Sequence, residues 1–223
     1  MKIFVIVPVF NEERRAVDTI KKILVNSKSD VIAIDDGSTD KSFQLLKKYF
    51  SKNKRVKLLK HSVNLGKGAA MRAGAEMVWK SGGDAIIFID SDGQHNPKYL
   101  PVFEKKLLKH DYVFGYRKIG KKMPMIRKWG NIVAIKIVGF LFNIKRKDLL
   151  CGYMAMTKAG YDNVYWKSDR YGVETEIATK LGKKRLKFCE IKVNTLYLDK
   201  YKGVTIVDAL KILLHIPYWY VSK

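Results

Sequence analysis

Cysteine is scarce. Cys151 and Cys189 are the only two in 223 residues, and they form no C-x-x-C pair. That argues against a disulfide framework or a zinc site and fits a reducing cytoplasm. No stretch reaches the roughly 20 uninterrupted apolar residues that a membrane-spanning helix needs. Internal repeats, low-complexity tracts and clear linkers are missing as well. His61, His95, His110 and His215 show no His-Glu-x-x-His spacing. The first apolar run is not followed by Gly-x-Gly-x-x-Gly, and Gly66-Lys67-Gly68 lacks the Gly-x-x-x-x-Gly-Lys-Ser/Thr spacing of a P-loop. Acidic residues are few: 21 Asp and Glu stand against 44 Lys and Arg, a net charge of +23. Such a field attracts polyanions, whether nucleic acid, an anionic membrane surface or a phosphorylated substrate. Nucleic acid is disfavoured, because no helix-turn-helix, zinc or aromatic RNP signature accompanies the charge.

What is present reads as one α/β domain over residues 1–223, and its 47% hydrophobic content argues against disorder. Lys2 and the apolar Ile3–Val7 imitate a secretory leader. Pro8 and the polar residues 11–15 follow without a small-residue cleavage site, so Ile3–Val9 is expected to be a core strand. Further strands are expected at Val31–Asp35, Val56–Lys60 and Ala85–Asp90, and less regularly at Tyr112–Tyr116, Leu149–Met156 and Phe188–Tyr197. Helical spacing separates the early ones: Val17, Ile20 and Leu24; Phe43, Leu46 and Phe50; Ala69, Ala73 and Met77. Strand–helix alternation implies a mostly parallel sheet with helices on both faces, which binds ligands at the carboxyl ends of its strands. Two later segments, about 127–143 and 204–221, are apolar helices with aromatic and basic margins. They suit either the core or a membrane interface.

Four polar loops follow the four leading strands. They are Pro8-Val9-Phe10-Asn11-Glu12-Glu13, Asp35-Asp36-Gly37-Ser38-Thr39-Asp40, Asn64-Leu65-Gly66-Lys67-Gly68 and Asp90-Ser91-Asp92-Gly93-Gln94. Singly, each has an explanation as a turn or helix cap. Together at one sheet edge they point to a nucleotide-diphosphate site. Asp90 and Asp92, one residue apart after an apolar strand, are hard oxygen donors suited to Mg²⁺ or Mn²⁺ held against a diphosphate.

This order of motifs resembles glycosyltransferase family 2, the inverting nucleotide-sugar enzymes of the GT-A (Rossmann-like) fold. Gln94-His95-Asn96-Pro97, Gly115-Tyr116-Arg117 and Asp148–Tyr153 bring it nearest to the dolichol-phosphate mannose synthase and polyprenyl-phosphate glycosyltransferase branch. The resemblance implies a nucleotide-binding half (1–117) and an acceptor-binding half (118–223). It assigns Pro8, Phe10, Asn11, Glu12, Asp36, Lys67, Asp90, Ser91, Asp92 and Lys200 to the nucleotide, and Asp90, Asp92 and Gln94 to the metal. Arg117, Arg127 and Asn131 fall to the acceptor phosphate, and Asp92, Arg117 and Arg127 to catalysis. Lys200 stands where the branch usually has arginine, and Thr205-Ile206 where Ser-Lys is common. Lysine lacks arginine's bidentate fork, so the donor and its sugar stay open.

The implied reaction moves a sugar, mannose or glucose, from a GDP- or UDP-sugar to a polyprenyl or dolichyl phosphate. A peripheral position on the cytoplasmic face of an anionic membrane is expected, either directly or through a separate membrane-spanning partner. A phosphate acceptor is already an anion and needs no strong base; a hydroxyl acceptor would need one, and Glu174 or Glu176 are the candidates. Those glutamates also fit a helix N-terminal charge pair. A nucleotidyltransferase, which likewise uses paired aspartates and metal, is the other enzymatic alternative.

Overall fold

The leading apolar runs fold as parallel strands β1 (Ile3–Val9), β2 (Asp30–Asp35), β3 (Val56–Lys60) and β4 (Ala85–Phe88). Three more follow: β5 (Tyr112–Tyr116), β6 (Met154–Thr157) and β7 (Cys189–Lys192). The computed structural model describes residues 1–118, 125–170, 172–196 and 206–221, with the backbone alone for 125–128 and 206–213. The strands join in one sheet of order β3-β2-β1-β4-β6-β5-β7. Strands β2 and β4 have every interior position buried, and β1 all but Pro8, because both sheet faces are covered there, which explains their continuous rather than alternating hydrophobicity; β3, at the sheet edge, is only partly buried.

One face carries α1 (Ala16–Asn26), α2 (Ser42–Phe50) and α4 (Leu100–Leu107), whose Ile20, Ile23, Leu46 and Phe103 pack with Val5, Val7 and Ala33. The opposite face carries α3 (Lys67–Lys80), α5 (Met125–Phe142), α6 (Lys158–Val164), α7 (Val173–Lys183) and α8 (Ile206–Val221). There Met71, Val78, Val138, Ile177 and Trp219 pack with Phe4, Ile6 and Ile34. The two expected apolar helices are α5 and α8, and each contributes core residues. Each also leaves large apolar side chains in solvent: Phe140 is 87% exposed on α5, and Val221 is 81% exposed on α8. Among the described residues no helix is long and apolar enough to cross a membrane.

Two features place the functional edge. Successive strands from β1 run outward through β2 to β3, whereas β4 lies on the other side of β1, which makes the β1/β4 boundary a topological switch point. Strand β6 then runs antiparallel between β4 and β5, pairing Met154 with Phe88 and with Phe114. Its preceding loop, residues 148–153, therefore arrives at the carboxyl ends of β4 and β5. The expected strand 149–156 is half loop for this reason; Cys151 and Tyr153 are buried in the core ahead of β6, and the Tyr153 carbonyl accepts from the Gly115 amide of β5 at 2.7 Å.

The third loop is locked from the other side of the molecule. Gly66 has φ 105°, and a Cβ there would stand 2.5 Å from the Asp169 carbonyl. Trp166, fully buried, donates from Nε1 to the Gly68 carbonyl at 3.1 Å and meets Phe88 and Tyr161 edge-on. Replacing Trp166 with alanine is expected to cost about 3–5 kcal/mol, the range for an aromatic deleted from a core. Guanidinium unfolding measures it: a shifted midpoint at unchanged slope fits the packing account, and a loss under about 1 kcal/mol contradicts it.

Candidate active site

The first two loops are stapled to each other. Asn11, at φ 51°, accepts at Oδ1 from the Thr39 amide at 2.9 Å, and its own amide donates to Ser38 Oγ at 3.0 Å. The buried Glu12 donates its amide to Ser42 Oγ at 2.8 Å. Phe10, next to Pro8, stands half out of the surface at the end of β1. Asp36 binds the second loop to the third. Its Oδ2 accepts from the Gly66 amide at 2.8 Å, while Oδ1 accepts from Leu65 N at 3.1 Å and pairs with His61 Nδ1 at 2.8 Å. Asn11 and Asp36, both expected at the nucleotide, thus hold the loops in register in this structure.

Strand β4 stops at Phe88, so Asp90 and Asp92 sit in a turn rather than on extended backbone. Gly93 takes φ 74°, and Asp92 Oδ1 accepts from the Gln94 amide at 2.9 Å. Thr19 Oγ1 donates to the Ser91 carbonyl at 3.1 Å and fixes the turn to α1. Gln94 is buried, and its carbonyl accepts from Leu196 N at 3.0 Å. His95 is 5% exposed; its Nε2 lies 3.3 Å from Asp90 Oδ2 and its ring packs on Tyr153.

Lys67 reaches across from the start of α3. Its Nζ lies 2.8 Å from Asp90 Oδ1 and 2.9 Å from Glu174 Oε1, on the first turn of α7. Gly152 makes room: a Cβ there would stand 2.5 Å from Lys67 Nζ and 2.7 Å from Asp90 Oδ2. Burial works to neutralise both partners, yet the contact overrides it. Lys67 is held above the ordinary lysine value by Asp90 and Glu174, and Asp90 below the ordinary carboxylate value by Lys67 and His95. Asp92 is pushed up by burial and by the neighbouring Asp90 charge.

Among the described residues, no three His, Cys, Asp or Glu side chains gather into a metal cage. Two crowded carboxylates in a turn instead fit a hard divalent ion whose remaining oxygens come from a diphosphate. Asp90 and Asp92 are the residues that would hold it.

A second charged cluster, holding the residues expected at the acceptor phosphate, is organised by the buried Asp148. It accepts from Arg117 Nε at 2.7 Å, Arg117 Nη2 at 3.0 Å and the Arg117 amide at 3.0 Å. Asn131, on α5 and buried, donates to Asp148 Oδ1 at 3.0 Å and accepts from Leu149 N at 3.1 Å. Asn131 therefore braces the carboxylate that aims Arg117. Arg127 belongs to α5, but its side chain, like the whole of Lys200, lies outside the described residues. Glu176 accepts from the Lys167 and Ser168 amides, each at 2.9 Å, and pairs with Lys180 at 2.8 Å. These contacts hold its pKa low against the opposing effect of burial, as the helix-start reading expects and a general base would not have.

Sequence reasoning assigned no role to Asp148 or Gly152 and did not pair Lys67 with Glu174. Nothing local signals a contact between residues 107 positions apart.

Burial raises the Asp148 pKa, but the Arg117 bonds more than offset this and leave it below the ordinary 3.8. A depressed folded-state pKa stabilises above the unfolded value and is lost as pH falls through the folded one. Asp148→Asn should therefore cost about 3–5 kcal/mol at neutral pH, as for a broken buried pair. It should also flatten the loss of stability below pH 3.8. Thermal melts across pH 2–7 test both; an unchanged acid limb contradicts the assignment.

The Glycosyl transferase family 2 model matches residues 4–181. The UDP-N-acetylglucosamine–dolichyl-phosphate N-acetylglucosaminyltransferase of Methanococcus voltae is 25% identical over 232 residues, covering 94% of this chain and 92% of that protein. The undecaprenyl-phosphate mannosyltransferase of Micrococcus luteus is 26% identical over 195 residues, covering 82% and 80%. Among solved structures, glucosyl-3-phosphoglycerate synthase of Mycobacterium tuberculosis, crystallised with Mn²⁺, UDP and glucosyl-3-phosphoglycerate, shares the fold. It aligns with a TM-score of 0.70 at 18% identity, over 98% of this chain and 79% of that one. The switch-point loops, the paired aspartates after β4 and a family match over most of the chain agree: this chain is a glycosyltransferase and belongs to family 2.

Proposed function

We propose that this glycosyltransferase moves a sugar from a nucleotide diphosphate to a polyprenyl phosphate, with Mg²⁺ or Mn²⁺ shared between the enzyme and the donor. The observation that carries the reading is that Asp90, Asp92 and Lys67 at the end of β4 and the Arg117–Asp148 pair at the end of β5 share one sheet edge, linked by loop 148–153. A diphosphate-handling group and a phosphate-handling group then flank a single sugar position. The names of the relatives from Methanococcus voltae and Micrococcus luteus support a lipid-phosphate acceptor. The Mn²⁺ in the mycobacterial synthase supports the metal.

In this reading Phe10 and Pro8 wall the nucleoside, and the stapled loops of Asn11 and Asp36 keep its pocket rigid. Lys67 brings positive charge to the diphosphate. A divalent ion on Asp90 and Asp92, when bound, neutralises the leaving diphosphate as the sugar–oxygen bond breaks. Arg117, fixed in plane by its Nε and Nη2 bonds to Asp148, brings a positioned positive charge to the acceptor phosphate. Arg127 lies one helical turn before Asn131 on α5, which supports its assignment to the same phosphate.

A general base is not needed for an anionic nucleophile, and neither glutamate is placed as one. Glu176 is consumed by backbone and lysine contacts, and Glu174 is paired with Lys67. That disposition favours a phosphate over a hydroxyl acceptor. The exposed Trp129 and Phe140 on α5, with Leu214 and Val221 on α8, support peripheral contact with an anionic membrane surface, given the net charge of +23.

Incubation with Mn²⁺, a panel of GDP- and UDP-sugars and a short polyprenyl phosphate should yield a lipid heavier by one sugar, read by mass spectrometry. Asp92→Ala is expected to lower turnover by about a thousandfold or more while the melting temperature holds. Pyrophosphate release from a nucleoside triphosphate, or near-normal turnover by the variant, would refute the reading.

A further inference from the structure

The ammonium of Lys67 stands where a cation bound to Asp90 would feel its strongest repulsion. It touches Asp90 Oδ1 at 2.8 Å, while His95 Nε2 lies 3.3 Å from the other oxygen of the same carboxylate. The contact is built in. Gly66 and Gly68 press the start of α3 against residues 168 and 169, and Gly152 leaves the space through which the amine reaches Asp90. Lys67 also has a second anchor, Glu174 Oε1 at 2.9 Å, that lies on α7 and outside the aspartate turn.

We propose that Lys67 is a tethered internal cation that occupies Asp90 in the nucleotide-free enzyme and so makes divalent metal binding conditional on the donor diphosphate. A metal ion arriving alone meets one carboxylate already neutralised and an ammonium close by, two unfavourable conditions at once. A metal ion arriving with a diphosphate brings anionic oxygens that satisfy Lys67. The lysine then moves from Asp90 to the diphosphate while Glu174 keeps it within reach. Glu174 is thus a positioning residue that limits how far the amine travels, and Asp90 is released to the metal only when the donor is present. Ordered loading of this kind prevents a metal ion from filling the site in a geometry unsuited to the donor.

This inference rests on the reading of Asp90 and Asp92 as a diphosphate-linked metal pair, and the test separates the two. Mn²⁺ binding is measured by paramagnetic resonance of free Mn²⁺, with and without UDP or GDP. It is applied to the wild-type enzyme, Lys67→Met, Lys67→Gln and Lys67→Arg, each first shown by melting to be folded. Wild type and Lys67→Arg should bind Mn²⁺ weakly without nucleotide. Lys67→Met and Lys67→Gln should bind nucleotide-free Mn²⁺ about tenfold tighter or more, from removal of one positive charge beside the carboxylates. They should also lose much of the cooperativity between Mn²⁺ and the nucleoside diphosphate. Unchanged nucleotide-free binding in both neutral variants, with Mn²⁺ still bound beside the nucleotide, would overturn the tethered-cation role and leave the metal pair standing. Failure of every protein to bind Mn²⁺ even with nucleotide would overturn the metal pair and this proposal together.

Discussion

Strand β6 runs against its neighbours, and the active edge depends on that reversal. A parallel strand in its place would have been fed from the amino-terminal edge, and its approaching loop would lie on the wrong side of the sheet. Because β6 pairs antiparallel with both β4 and β5, residues 148–153 are delivered to the carboxyl ends of those strands. Gly152 then sits against Asp90 and Lys67, and Asp148 sits under Arg117. The parallel half alone carries the four polar loops. The reversed strand adds the second charged group, which the proposed function gives to the acceptor.

Charge is handled differently in the two halves of this edge. The chain carries a large positive excess, yet among the described site residues Asp90, Asp92, Glu174 and Asp148 outnumber Lys67 and Arg117. Arg117 with Asp148 is a bidentate pair with a buried carboxylate, which makes it rigid and costly to break. Lys67 with Asp90 and Glu174 is a point charge shared between two acceptors, which can redistribute without leaving any of them bare. A fixed fork suits an acceptor that must be aimed. A mobile amine suits a diphosphate that arrives with its own metal and leaves after reaction.

Sequence patterns located the parallel half well, because its strands are buried on both faces and read as continuous apolar runs between Gly- and Asp-rich turns. β1 and β3 match the expected bounds, and β2 begins one residue earlier. Asp90 and Asp92 drew notice by their spacing after an apolar strand, and a turn containing Gly93, rather than extended backbone, sets their positions. Apolar helices α5 and α8 were also legible, since each carries a long hydrophobic face. Beyond residue 118 the pattern weakens. Cys151 and Tyr153 are buried in a loop, which mimics a strand, whereas the Glu174 and Glu176 charge pair does open α7. Pairings such as Lys67 with Glu174 arise from topology and leave no local trace.

The central claim is that this edge binds a nucleoside diphosphate through a metal held by Asp90 and Asp92. Calorimetric titration of UDP, GDP and their monophosphates, with and without Mn²⁺, tests it most directly. The account predicts that one diphosphate binds about tenfold tighter or more with Mn²⁺, a gain of about 1.4 kcal/mol, and that its monophosphate shows no such gain. Equal affinity with and without metal, or an equal gain for monophosphate and diphosphate, would contradict it.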